Sequence, residues 1–258
     1  MSLAIVTGAS SGIGREVSKL LAEAGYDLVI VGRRESELQK LAGELSQLKI
    51  SITLRCVDLN NLDSLDQIFL NISRVDVLVN CAGLAKFGTV DLNSLADDQN
   101  TVNVNCLAVV QLCRLAQPLM QHGGTIVNVS SLASEIPLPH MAVYSGSKAF
   151  VTNFTLAFAE EVRDQNINVV CVSPGGVNTP FVVQAGMDES VNQNSSAMLV
   201  SANYVAKSIV RSIRHPKSNI VPARSGFLIP LLLWLMPRQF LAKLAGSQYK
   251  SFYRTKHD

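Results

Sequence analysis

Short β-branched runs alternate with longer amphipathic ones along most of this chain, and that alternation limits what it can fold into more than any other feature. Strands are predicted over 3–7, 28–31, 52–57, 75–80, 125–130 and 168–173. Helices are predicted over 13–24, 35–46, 99–120 and 141–165, with a shorter one around 64–72 and Pro118 near the end of the third long helix. A strand followed by a helix and another strand closes as a right-handed βαβ unit on a parallel sheet covered on both faces. The uninterrupted apolar character of Ile126-Val127 and of Val169 to Val172 suits strands buried on both sides. The expected architecture is therefore a doubly wound parallel sheet of about seven strands in a three-layer αβα arrangement.

A chain of 258 residues fits one such domain. No Pro/Gly/Ser-rich linker, internal repeat or low-complexity tract divides it. Two stretches break the regularity. Residues 176 to 201 are rich in Asn, Ser, Gly and Val without clear periodicity, which in a compact domain reads as a substrate loop or lid. Residues 225 to 258 form an apolar, basic extension.

Charge sharpens the picture of that extension. No acid occurs between Glu189 and Asp258, whereas ten of the 22 Lys and Arg residues do, so the body of the chain is net acidic. Such a tail suits an anionic neighbour, lipid headgroups or a phosphate-bearing substrate, or else forms a solvated basic face. Apolar residues at 48% and charged ones at 16% exclude a disordered chain. Five cysteines without a CxxC pair, and four histidines without ligand spacing, point to a reduced, cytoplasmic protein with no metal site. No signal peptide is expected, and the longest apolar stretch, 227–236, contains Pro230 and is too short to span a bilayer. No nucleic-acid partner is expected.

Candidate chemistry begins just after the first strand. Thr7-Gly8-Ala9-Ser10-Ser11-Gly12-Ile13-Gly14 joins that strand to a helix. Glycines allow a tight turn and close backbone approach, and the helix N-terminus offers N–H groups and a dipole to a pyrophosphate. The second strand ends in Val31-Gly32-Arg33-Arg34, where an acid would hold the ribose 2′-hydroxyl of NAD. A guanidinium there suits the 2′-phosphate of NADP instead, with Arg33 as main contact and Arg34 as second. Further on, Tyr144 and Lys148 are four residues apart and share a helix face. A nearby ammonium favours the phenolate, and so tunes a phenol for acid–base work on a carbonyl or alcohol.

The Thr-headed Gly-x-x-x-Gly-x-Gly turn, together with Ser131 thirteen residues before Tyr144, resembles the short-chain dehydrogenase/reductase family, NADP-preferring members of a Rossmann fold. The resemblance covers residues 3 to about 225. It implies that Tyr144 donates a proton to a carbonyl oxygen as hydride arrives from NADPH. Lys148 would support the tyrosine and bond the nicotinamide ribose, Ser131 would orient the oxygen, and Asn105 would hold a relaying water. Ser130 and Asn103 are the neighbouring alternatives. The resemblance further gives Asp58 and Leu59 to the adenine, Asn80, Ala82 and Gly83 to the turn after the fourth strand, and Pro174, Gly175, Val177 and Thr179 to the nicotinamide amide. Two departures stand out: Cys81 replaces the usual second Asn, and Ser11 occupies a place where some NADP users carry a base.

The long helices containing Asn105 and Tyr144 resemble those through which family members form homodimers and homotetramers. The tail resembles a bacterial branch that includes ketosphinganine-type and acyl-chain reductases, so an apolar carbonyl or alcohol is the expected substrate. Three readings of the tail stay open: a lid over the substrate, a basic amphipathic helix in peripheral contact with a membrane, or an interface. A non-catalytic NADP-binding sensor on the same fold is the rival function, and epimerisation or dehydration a third.

Overall fold

The computed structural model describes residues 2–120, 123–187, 199–222 and 235–257, with side chains to residue 247 in the last stretch. Seven strands form one parallel sheet: β1 (Leu3–Thr7), β2 (Asp27–Gly32), β3 (Ile52–Cys56), β4 (Val77–Asn80), β5 (Gly124–Val129), β6 (Ile167–Val172) and β9 (Asn219–Ile220). Their spatial order is β3-β2-β1-β4-β5-β6-β9. The winding direction reverses between β1 and β4, which opens a crevice beyond their carboxyl ends.

Helices α1 (Gly12–Glu23), α2 (Glu35–Leu45), α3 (Leu95–Val102), α4 (Ala108–Ala116) and α5 (Ala142–Glu161) follow the expected alternation. Ala4, Ile5 and Val6 on β1 have no exposed surface, and they divide between two cores as a strand's period of two requires. Ala4 and Val6 pack with Val17 and Leu21 of α1 and Leu38 of α2. Ile5 joins Leu78, Leu112 and Phe158 on the opposite face. Burying each of the Val, Leu, Ile and Phe side chains contributes about 1.5–3 kcal/mol.

Several local outcomes differ from expectation. The third long helix begins at Leu95, because Ser94 accepts the Asp97 N–H at 3.1 Å and Asp97 and Asp98 fill the first turn. A π turn, Asn103–Leu107, then interrupts it. The segment predicted as a helix around 64–72 is a 3₁₀ helix, Leu62–Phe69. The aperiodic stretch 176–201 contains β7 (Val177–Asn178), α6 (Phe181–Gln184) and β8 (Val200–Ser201). After it comes an unanticipated helix, α7 (Ala202–Arg214), capped by Ser201 and packing Val205, Ala206 and Ile209 into the core of α1. The last element is α8 (Arg238–His257). Residues 188–198, most of the segment 225–236, and His122 lie outside the described residues.

The glycine turn needs its glycines for two separate reasons. Gly8 has φ +70°, and a Cβ there would lie 2.9 Å from the Ala82 backbone. Gly14 has ordinary dihedrals, but a Cβ would stand 2.5 Å from the Gly8 carbonyl oxygen and 2.9 Å from that of Thr7. Both obstacles are backbone and cannot rotate away. Gly14→Ala is expected to cost about 1–3 kcal/mol, the usual penalty for overpacking, and to lower the melting temperature by roughly 2–4 °C per kcal/mol. An unchanged thermal melt would show that the turn relaxes freely.

Candidate active site

Four strand ends converge on the crevice. Thr7, the last residue of β1, ties two of them together: its hydroxyl accepts the N–H groups of Cys81 at 3.0 Å and Ala82 at 3.2 Å. Gly8 is thereby held against the 80–83 turn. Ser11 precedes α1 in extended conformation and makes no side-chain cap. Among the described residues no side chain caps the start of the helix, which leaves its leading N–H groups suited to an anion. Gly12 faces the methyl of Thr179, from which a Cβ would be 3.3 Å away. Thr179, predicted far along the chain, therefore borders the start of α1.

The arginines sit at the end of β2, beside the glycine turn. Arg33 is exposed at the end of β2, and Arg34 donates to Ser10 Oγ at 3.2 Å and to its carbonyl at 3.4 Å. Asp58 is exposed beyond β3 and accepts the Asn60 N–H at 3.0 Å, while Leu59 is buried beneath it. The two basic side chains, the glycine turn and an open helix start fit a phosphorylated dinucleotide in donor type and placement.

Deeper in the crevice lies Lys148, only 5% exposed. Its ammonium donates to the Val129 carbonyl at 2.9 Å and lies 5.9 Å from the centre of the Tyr144 ring, on the same face of α5. Burial lowers its pKa from 10.5 to about 8. Desolvation pushes the half-buried Cys81 thiol up to about 12, so it stays protonated at neutral pH and adds no negative charge beside the lysine. Gly83 leaves room for the amine: a Cβ there would be 3.4 Å from Nζ and 3.5 Å from Asn105 Oδ1.

Asn105 sits in the π turn with no exposed surface. Its amide donates to the Leu84 carbonyl at 2.8 Å and to Ser147 Oγ at 2.9 Å, and its oxygen accepts the Leu84 N–H at 2.8 Å. Asn103, the alternative, instead donates to Asn60 Oδ1 at 3.0 Å, away from the lysine. The two serines separate in the same way. Ser130 Oγ donates to the Lys148 carbonyl at 2.9 Å and pairs with Thr152 at 2.7 Å, inside the fold. Ser131 is half-buried, and its hydroxyl accepts the Ala133 N–H at 3.1 Å near the Pro174 carbonyl.

Asn80 extends the polar ladder into the sheet. It donates to Asn128 Oδ1 at 2.8 Å, and Asn128 donates to Thr155 Oγ1 on α5 at 3.1 Å. This chain ties β4 and β5 to the helix that carries Tyr144 and Lys148. Asn128 and Thr155 lie in sequence runs that read as plain core, so their polar role is visible only in the structure.

The remaining wall comes from the aperiodic segment. Pro174 accepts the Leu132 N–H at 2.8 Å, and Gly175 lies against the Leu132 side chain. Val177 pairs with Val200, so a two-stranded parallel clamp closes the base of the loop. Phe181 packs its ring 5.6 Å from that of Tyr144 at a 49° tilt. Nearby, the Phe87 N–H donates to the Ala185 carbonyl at 2.8 Å, and Phe87 lies 5.7 Å from His140. Phe181 thus presents an apolar ring to the tyrosine. Among the described residues no group of three His, Cys, Asp or Glu is placed to hold a metal ion.

This parallel sheet, with its glycine turn and Tyr-x-x-x-Lys helix, defines a dinucleotide-dependent oxidoreductase of the α/β class. The short chain dehydrogenase family profile matches residues 2–190, so the chain belongs to the short-chain dehydrogenase/reductase family, whose members act between carbonyl and alcohol. Among curated relatives, 3-ketodihydrosphingosine reductase of Bacteroides thetaiotaomicron is 31% identical over 74% of this chain and 69% of its own length. Dehydrogenase/reductase SDR family member 7B of Xenopus tropicalis is 29% identical over 97% and 84%. Among solved structures, a short-chain dehydrogenase from Sphingobium yanoikuyae in complex with NADPH superposes with a TM-score of 0.79 at 25% identity, covering 86% of this chain and 88% of that one.

Proposed function

We propose that the protein is an NADPH-dependent reductase of apolar ketones, with Tyr144 as its proton donor. One observation carries the reading: a buried lysine ammonium lies beside a phenol, at the inner end of a crevice opened by a glycine turn. When bound, the dinucleotide supplies the hydride that reaches the carbonyl carbon. Tyr144 gives its hydroxyl proton to the carbonyl oxygen, so the carbonyl gains one hydride and one proton and becomes an alcohol. Lys148 stabilises the phenolate left behind. Its ammonium has donors beyond the Val129 bond to offer ribose hydroxyls. Ser131 orients the oxygen with its hydroxyl. Both N–H bonds of Asn105 are engaged, so a relaying water here meets its carbonyl oxygen or the backbone of the π turn rather than its amide.

Arg33 and Arg34, with no carboxylate at the end of β2, favour the 2′-phosphate. The relative bound to NADPH supports the same choice. The Phe181 ring against Tyr144 supports an apolar substrate, as do relatives named for ketodihydrosphingosine and very-long-chain 3-oxoacyl-CoA reduction. Exposed Leu107 on the α3–α4 helix and Phe150 and Leu156 on α5 favour a homodimer or homotetramer through these helices. A cytoplasmic location, with the basic tail as its route to a membrane surface, belongs to the same reading.

The cofactor assignment has a direct check. Arg33→Ala removes a charge-assisted phosphate contact of about 1.5–3 kcal/mol. NADPH kcat/KM is expected to fall about 10- to 100-fold, with NADH kcat/KM nearly unchanged. Arg34→Ala should show the same pattern more weakly. Equal losses with both cofactors would overturn the assignment.

A further inference from the structure

Helix α8 meets the domain close to the crevice mouth. Leu241 and Ala245 face inward and are buried, and Gly246 lies against Pro139, where a Cβ would be 3.2 Å from the proline ring. Pro139 stands five residues before Tyr144, in the loop that also carries His140. That loop is joined to the opposite rim of the mouth by the Gly88 N–H donating to the His140 carbonyl at 2.9 Å. The tail helix is therefore tied to the loop that leads into Tyr144.

Its outer face has a different character. Phe240 and Leu244, one turn apart, are 52% and 50% exposed. Arg238 and Lys243 are exposed on the same helix. Lys243, Lys250 and Arg254 recur at spacings of seven and four, and no acid interrupts the chain from 190 to 257. Among the described residues no helix is long and apolar enough to cross a bilayer. Apolar side chains beside acid-free basic ones match a helix that lies in the interface of an anionic membrane.

We infer that the outer face of α8, through Phe240, Leu244 and Lys243, docks on an anionic lipid surface and holds the crevice mouth against it. An apolar ketone then reaches Tyr144 from the lipid without crossing bulk water. The inference deepens the proposed tail contact and does not depend on the hydride chemistry, so vesicle binding and ketone turnover are scored separately.

The experiment is co-sedimentation of the full chain with vesicles of phosphatidylcholine alone and of phosphatidylcholine mixed with phosphatidylglycerol. The protein is expected to sediment with the mixed vesicles and to stay in solution with the neutral ones. Binding should weaken in 1 M salt, where the screening length drops to about 3 Å. The double variant Phe240→Asp/Leu244→Asp should bind about tenfold more weakly or worse, with turnover of a water-soluble ketone unchanged. Lys243→Glu, a milder surface change, should weaken binding in the same direction if the double variant fails to fold. Absence of wild-type binding to the mixed vesicles would overturn the proposal, as would equal binding to both vesicle types. A fall in solution mass for the double variant, without loss of vesicle binding, would assign the face to a second copy of the chain instead.

Discussion

Tyr144→Phe is expected to lower kcat by about 10³-fold while NADPH still binds. The substitution removes only the hydroxyl. The ring keeps its packing against Phe181, and the buried network through Ser147 and Asn105 uses the Tyr144 backbone carbonyl, which Ser147 Oγ reaches at 2.7 Å. Folding and dinucleotide affinity should therefore survive, and the loss should fall on the chemical step. Steady-state kcat at saturating NADPH, paired with a fluorescence titration of the cofactor, separates the two. A Phe variant that retained most of its turnover would remove Tyr144 from the role of proton donor.

Lys148→Met is expected to inactivate the enzyme and stabilise the fold. Burial holds the Lys148 pKa near 8 against 10.5 for an ordinary lysine. Keeping the ammonium charged in the folded protein below pH 8 therefore costs on the order of 3 kcal/mol. Methionine fills a similar volume without charge, but leaves the Val129 carbonyl without its donor at 2.9 Å. The balance favours the variant, so its melting temperature at pH 7 should rise by a few degrees, while kcat falls by about 10²-fold or more. The pH dependence follows from the same numbers. Between about pH 8 and 10.5 the unfolded chain holds the proton that the folded chain has lost, so this site adds stability as pH rises through that window. The increment should be absent in the variant. Calorimetry at pH 7 and at pH 10 measures both effects. A lower melting temperature at pH 7 would mean that the lysine supports the fold rather than straining it.

Much of the fold was legible because the strands are buried on both faces. Ala4-Ile5-Val6 reads as an unbroken apolar run for the same reason that alternate residues serve two different cores. Helix boundaries were less legible where a cap had to be noticed. Ser94 and Ser201 each accept an N–H three residues on, and periodicity alone predicts neither start. β9 has two residues and no pattern to detect.

In the site, the family pattern favours Ser131 and Asn105 over their neighbours. In the structure Ser130 bonds to the Lys148 carbonyl and Thr152, and Asn103 to Asn60, while Asn105 bonds to Leu84 and Ser147. The contact of Phe181 with Tyr144 was not legible, because it comes from a loop without periodicity that is brought into place by the Val177–Val200 clamp. Thr7 was visible as the head of the glycine motif. Its hold on Cys81 and Ala82 depends on β1 and β4 being neighbours, which the order of elements along the chain does not state.

The most direct test follows a hydrogen atom. The purified chain is incubated with NADPH carrying deuterium on the transferable C4 position and with a panel of apolar ketones, and the products are read by mass spectrometry. The account predicts one deuterium on the carbinol carbon of an alcohol product, formed by wild type and not by Tyr144→Phe. Tight NADPH binding with no labelled alcohol from any ketone would contradict it, and would leave a dinucleotide-binding protein without the chemistry proposed for Tyr144.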